Sequence, residues 1–128
     1  MLENQDATAT VAVKDLPKAR RFYEEKLGLK AEQESEGAVV YKTGRATLVV
    51  YPSSFAGTNQ ATSVTWGVGD DFDAILHNLQ AKQVAFERYD DLPGLTRDGD
   101  VHHAEGLKLA WFKDPDGNIH HLISTPRR

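Results

Sequence analysis

Apolar and polar positions alternate with a period of two at two places 55 residues apart in the chain: residues 8–15 read TATVAVKD and residues 63–70 read SVTWGVGD. In the first stretch Thr8, Thr10 and Ala12 point one way and Ala9, Val11 and Val13 the other. In the second, Ser63, Thr65 and Gly67 oppose Val64, Trp66 and Val68. Alternation of this kind predicts a half-buried strand. Helical spacing follows each strand. Asp15 suits an N-cap, and Pro17 sits in the first turn, where a missing N–H costs little. Ala19, Phe22, Tyr23 and Leu27 form one apolar stripe, and Gly28 is placed to end the helix in a left-handed conformation. The second copy offers Asp70 or Asp71 as cap and Phe72, Ile75, Leu76 and Leu79 as stripe, but its exit over 81–84 has no glycine.

Further strand-like runs lie at 29–35, 38–41 and 46–51 in the first half and at 84–89, 107–112 and 118–124 in the second. Thr43-Gly44-Arg45 reads as a turn. So does Asp114-Pro115-Asp116-Gly117, in which proline presets one φ and glycine permits a positive one. Each half is therefore β-α-β-β-β. One small sheet with one helix buries too little apolar surface to stand alone, so the halves are expected to fold together. The predicted fold is α+β: two tandem βαβββ modules forming one open, incompletely closed mixed β-barrel with helices on the convex side. Residues 1–128 make a single domain, with module one at about 6–52 and module two at about 61–125. The strand faces turned away from the helices would line a trough. An insert at 90–105 (DDLPGLTRDGDVHHAE) is the main asymmetry and reads as an exposed loop.

At 128 residues and 14.2 kDa, with 40% hydrophobic and 27% charged residues, the chain has an ordinary globular composition. Its formal net charge of -4 supplies no basic surface for phosphate backbones, so no nucleic-acid partner is expected. The absence of cysteine removes disulfides, thiolate zinc sites and cysteine nucleophiles, and fits a cytoplasmic location. No apolar run is long enough to cross a bilayer, so no membrane partner is expected, and MLENQDATAT lacks the basic-then-apolar pattern of a leader. There is no glycine-rich phosphate loop and no nucleophile elbow.

Three segments, TVAVKDLPKARRFYEEKLGL at 10–29, VTWGVGDDFDAILHNLQAKQV at 64–84 and WFKDPDGNIHHL at 111–122, resemble the vicinal oxygen chelate superfamily. That superfamily includes glyoxalase I, bleomycin-resistance proteins, fosfomycin-resistance proteins and extradiol dioxygenases. The resemblance implies a site where the first and last strands of both modules supply ligands to one divalent ion, which polarises substrate oxygens. At the matching positions this chain has Thr8, Ser63, Tyr51 and His121. Only the imidazole is a good ligand for a first-row ion, so no metal or other cofactor is expected. Tyr51 is expected to be a buried, hydrogen-bonded phenol near that position.

The resemblance thus implies a small amphipathic ligand bound in the trough, with Thr8, Thr10, Tyr51, Ser63, Thr65 and His121 as its contacts, and a homodimer. The alternative is a divalent-metal-dependent lyase, isomerase or extradiol-type dioxygenase with non-standard ligands. Adjacent strand residues face opposite ways, so only one of His120 and His121 can face the trough; the resemblance implies that it is His121, with His120 structural on the helix side or the rim. One of Trp111 and Phe112 lines the trough, and phase alone does not say which. Trp66 is expected beneath the second helix, Tyr41 and Tyr89 at the rim, and His77 at the surface. His102 and His103 are expected in the exposed loop, unless the insert folds over and delivers one of them to His121.

Overall fold

The computed structural model describes residues 1–35 and 37–126. It divides into two compact units, one of Met1–Asn59 with Pro115–Asn118, the other of Gln60–Asp114 with the stretch from Ile119.

The first unit opens with β1 (Ala9–Val13) and α1 (Leu16–Arg21). The Asp15 carboxylate accepts the Lys18 N–H at 3.1 Å, and proline occupies the first turn, as the spacing predicts. From Phe22 to Lys26 the helix widens into a π-helical turn closed by the Leu27 N–H on the Phe22 carbonyl. More residues per turn bring neighbours closer on one face, and both Phe22 and Tyr23 are buried. Gly28 ends the segment at φ +72°.

β2 (Ala31–Glu34), β3 (Val39–Thr43) and β4 (Ala46–Pro52) complete an open sheet of order β1-β4-β3-β2, in which β1 runs parallel to β4. Val11, Val13, Val39, Tyr41, Leu48 and Val50 line its buried face. Tyr41 is thus core, not rim. Its ring stacks on Tyr23 at 6.0 Å, and its hydroxyl donates to Glu24 at 2.9 Å. Burial, with Glu24 adding to it, pushes the phenol well above its usual pKa. The Asp114-Pro115-Asp116-Gly117 turn also does more than reverse the chain. Asn118 donates to the Ala12 carbonyl at 2.8 Å, and Asp116 accepts the Lys14 N–H at 3.2 Å.

The second unit repeats the plan. β5 (Thr62–Gly67), a 3-10 turn at Gly69–Asp71, α2 (Phe72–Ala81) and β6 (Phe86–Glu87) lead through β7 (Thr96–Asp98), β8 (Val101–Ala104) and β9 (Leu107–Lys113) to β10 (Ile119–Ile123). The open sheet runs β5-β10-β9-β8-β7, and β6 also pairs with β9. The α2 stripe of Phe72, Leu76 and Leu79 is buried, together with Ala110, Phe112 and Leu122 of the sheet. Asp71 takes the cap position without a side-chain capping bond, and the preceding 3-10 turn ties its N–H to the Val68 carbonyl.

Two departures from the sequence reading stand out here. The insert is not an exposed loop: β7 and β8 form a hairpin that extends the sheet along β9. Two-residue connections close it on both sides, with Gly99 at φ +63° on one and Glu105 and Gly106 at φ +51° and +78° on the other, as hairpin twist requires.

The second departure is at the exit of α2. Gln83, a non-glycine residue, adopts φ +67°, and the Gln83 and Val84 N–H groups bond back to Gln80 and Leu79. This is the helix-ending geometry that normally selects glycine. Gln83→Gly should therefore stabilise the protein by about 0.5 to 1 kcal/mol, the relief of left-handed strain less the greater freedom of an unfolded glycine. A rise in the urea midpoint at unchanged slope checks this, and a fall would show that the side chain contributes something else.

Candidate functional site

The chemistry collects on the face of the second sheet that points away from α2. Phase is set by β9, where Ala110 and Phe112 are buried and Lys108 reaches Asp73 of α2 at 2.9 Å. Trp111 must then point the other way, which settles the choice between it and Phe112. The register places His121 of β10 directly opposite Trp111, with Thr65 of β5 beyond it on one side and Glu87 of β6 on the other. A row of four side chains therefore crosses four strands. His120 faces the core as expected, fully buried. Its Nδ1 accepts the Trp66 indole N–H at 3.0 Å, and its ring lies flat on Phe112 at 4.9 Å.

Four rings make up the site. His121 lies flat against Trp111, with centroids 4.6 Å apart and planes 10° from parallel. His102 meets Trp111 edge to face at 4.9 Å, and Tyr89 does so at 5.2 Å. His102 is fully buried, contrary to its expected exposure, because β8 docks on β9 and turns this imidazole onto the sheet. Its Nε2 accepts the Tyr89 N–H at 2.9 Å, so its proton is on Nδ1. The Asp100 and Leu109 carbonyls favour the charged ring, yet neither completes a hydrogen bond to Nδ1.

The His121 Nε2 is also buried with no hydrogen-bond partner among the described residues. Burial lowers the pKa of both imidazoles, and the proximity of His102 lowers that of His121 further, since the two rings could not both carry a proton without repulsion. Both shifts favour the neutral ring.

The six residues read from the sequence fall into two sets of three. Thr8, Thr10 and Tyr51 belong to the first unit, and Ser63, Thr65 and His121 to the second. Thr8 shares a hydrogen bond with Thr47 at 3.0 Å, and Thr10 is exposed. Tyr51 is not the buried phenol expected of it: it is 37% exposed near the end of β4, in register with the half-buried Ala12. Ser63 is half-buried at a bulge, since Thr62 pairs with Ile119 and Val64 with His120, which leaves Ser63 as the extra residue. Thr65 is exposed.

The residues at the resemblance's metal positions offer three neutral hydroxyls and one imidazole, a donor set that does not fit a first-row divalent ion. Among the described residues no three His, Asp or Glu side chains stand together as ligands. Cavities of about 410 Å³ beside Lys14, Lys18 and Asp116, and of about 350 Å³ beside Asp70 and Ser124, contain none of the six.

His102, Trp111 and Tyr89 are members of this ring cluster that spacing alone did not bring together with His121. One signal was present for His102. Gly99-Asp100 and Glu105-Gly106 flank VHHA, and glycine-containing pairs of this kind mark two-residue hairpins.

A family model described as the Glyoxalase/Bleomycin resistance protein/Dioxygenase superfamily matches residues 6–122. No curated protein sequence matches significantly. Among solved structures, the chain is similar to an oxidase, ChaP-H2, at 22% identity and a TM-score of 0.72, covering 97% of this chain and 95% of that one. It is also similar to a lactoylglutathione lyase from Agrobacterium tumefaciens (17% identity, TM-score 0.69, 96% and 95% covered). A third is the fosfomycin resistance protein FosX from Mesorhizobium loti (14% identity, TM-score 0.67, 99% and 95% covered). At these identities the likeness is one of fold, and the named functions differ from one another. Among the described residues no helix is long and apolar enough to cross a membrane.

Proposed function

The chain belongs to the glyoxalase/bleomycin resistance protein/dioxygenase superfamily, and from that premise we propose that it binds a small amphipathic molecule without a metal ion, on the sheet face of the second unit that carries Thr65, His121 and Trp111. One observation carries this reading. His121 lies flat on a half-buried indole while its Nε2 is shielded and unpaired. A buried polar atom without a partner costs about 1 to 3 kcal/mol, and a ligand group that bonds to it recovers that cost. A half-turn of the ring about its Cβ–Cγ bond moves Nε2 to the opposite edge and leaves the stack on Trp111 intact. Thr8, Thr10 and Tyr51 are proposed as polar contacts on the first unit's own sheet, and Ser63 on the second's.

Thermal unfolding of chelator-treated protein against a panel of small amphipathic compounds tests the proposal. A true ligand at a hundred times its Kd should add about 2.7 kcal/mol, a rise of several degrees in Tm. His121→Ala should abolish that rise while leaving the ligand-free Tm nearly unchanged. Retention of the rise in His121→Ala would place the ligand elsewhere. Loss of the rise on metal chelation would point to a metal-dependent lyase, isomerase or dioxygenase.

A further inference from the structure

From the cluster formed by Tyr89, His102, Trp111 and His121 we infer the class of molecule this face takes: an uncharged aromatic compound carrying one hydrogen-bonding group. This rests on the reading of the face as a ligand site and narrows it.

Two features of the surroundings exclude charge. The first is that charged side chains on the strands flanking the cluster are already held in pairs. Lys113, two residues along β9 from Trp111, pairs with Glu87 at 3.4 Å, and Glu87 is Trp111's own cross-strand partner. Arg97 of β7 pairs with Asp90 at 2.7 Å, and Arg88 with Asp100 at 3.0 Å. An anion at His121 would have to break one of these pairs or protonate a ring that burial and His102 keep neutral. A cation would have to draw Glu87 away from Lys113, and would otherwise find only imidazole nitrogens. Desolvating a net charge beside four rings, with no opposite charge to receive it, costs more than such a site returns.

The second feature is the polar inventory. Nε2 of His121 and Nδ1–H of His102 are the buried side-chain polar atoms without a partner among the described residues. Nε2 of His102 is committed to the Tyr89 N–H, which fixes that ring as a neutral donor. The cluster therefore has the capacity to recognise one polar group, while its remaining surface is aromatic and favours a planar body packed against rings.

Benzamide and benzoate have the same size and shape and differ in charge, so the pair tests the inference on the full-length protein. Benzamide titrated into protein labelled with 15N at histidine and tryptophan should shift the His121 Nε2 resonance and the Trp111 indole N–H resonance along one saturable curve. Benzoate should bind at least about tenfold more weakly. His121→Phe preserves a ring against Trp111 but removes the nitrogen, and should weaken benzamide about tenfold, the worth of one hydrogen bond. Equal affinity for benzoate and benzamide, both dependent on His121, would overturn the inference of an uncharged ligand and leave the site itself standing. A failure of both compounds to give a saturable response at His121 at millimolar concentration would overturn the inference and the site together.

Discussion

Between pH 6.5 and pH 4 the protein is expected to lose about 3 kcal/mol of stability through His120 alone. Burial takes this imidazole from 6.5 down to about 4, and each unit of that gap is worth about 1.4 kcal/mol. The folded-state pKa is the lower one, so the unfolded chain binds a proton that the native chain refuses. The stabilising contribution is complete above 6.5, declines as the pH falls through the window, and is gone below about 4. Structure explains why the ring resists protonation. It is fully buried, its Nδ1 accepts from Trp66, and Phe112 covers one face. Protonating Nδ1 would set two donors against each other.

His102 and His121 are also lowered by burial, so they add to the slope with the same sign. Urea unfolding at pH 7, 5.5 and 4, for the wild type and His120→Phe, separates the contributions. The variant should be less stable at pH 7, because the Trp66 N–H loses its acceptor at a cost of about 1 to 3 kcal/mol. It should also show a visibly flatter dependence on pH. Parallel pH profiles for the two proteins would show that His120 titrates normally and that the burial argument is wrong.

Truncating Phe112 and Trp111, neighbours on one strand, should have opposite consequences. Phe112 is 1% exposed, packs face to face on His120 and meets Phe86 at 5.7 Å. Phe112→Ala should cost about 4 kcal/mol through lost burial and the cavity left behind. Trp111 is half-buried on the other face, so Trp111→Ala removes less buried surface and should cost about 2 kcal/mol. It should nevertheless abolish ligand-induced stabilisation, since His121 would lose the surface it stacks on. Denaturant titration with and without ligand distinguishes the two. If Trp111→Ala were the more destabilising substitution and still bound ligand, the division of the sheet into a structural and a binding face would fail.

How much of this was legible in the chain depends on how far each determinant reaches. Asp15 capping α1, Pro17 in its first turn, Gly28 at its end and the turn at 114–117 are set by contacts within a few residues, and all were readable. The opposite facings of His120 and His121 were readable too, because alternation is a property of a single strand. Tyr41 was misplaced because its burial comes from stacking on Tyr23, eighteen positions away, and from donating to Glu24. Tyr51 was expected to be buried and is exposed. Local sequence puts His102 in a loop because the insert at 90–105 is polar and rich in Gly and Asp, and its segment becomes a strand only when β9 offers it an edge.

Local pattern alone determined the β-α-β-β-β order of the first unit, the same elements around the inserted hairpin in the second, and the apolar stripes, because periodicity is written residue by residue. Tertiary structure decided which ring on β9 faces α2, that the insert is paired as sheet, and that Tyr89, His102, Trp111 and His121 form one cluster. Those outcomes depend on cross-strand pairing between segments distant in the chain, and burial is a property of the neighbours such pairing supplies.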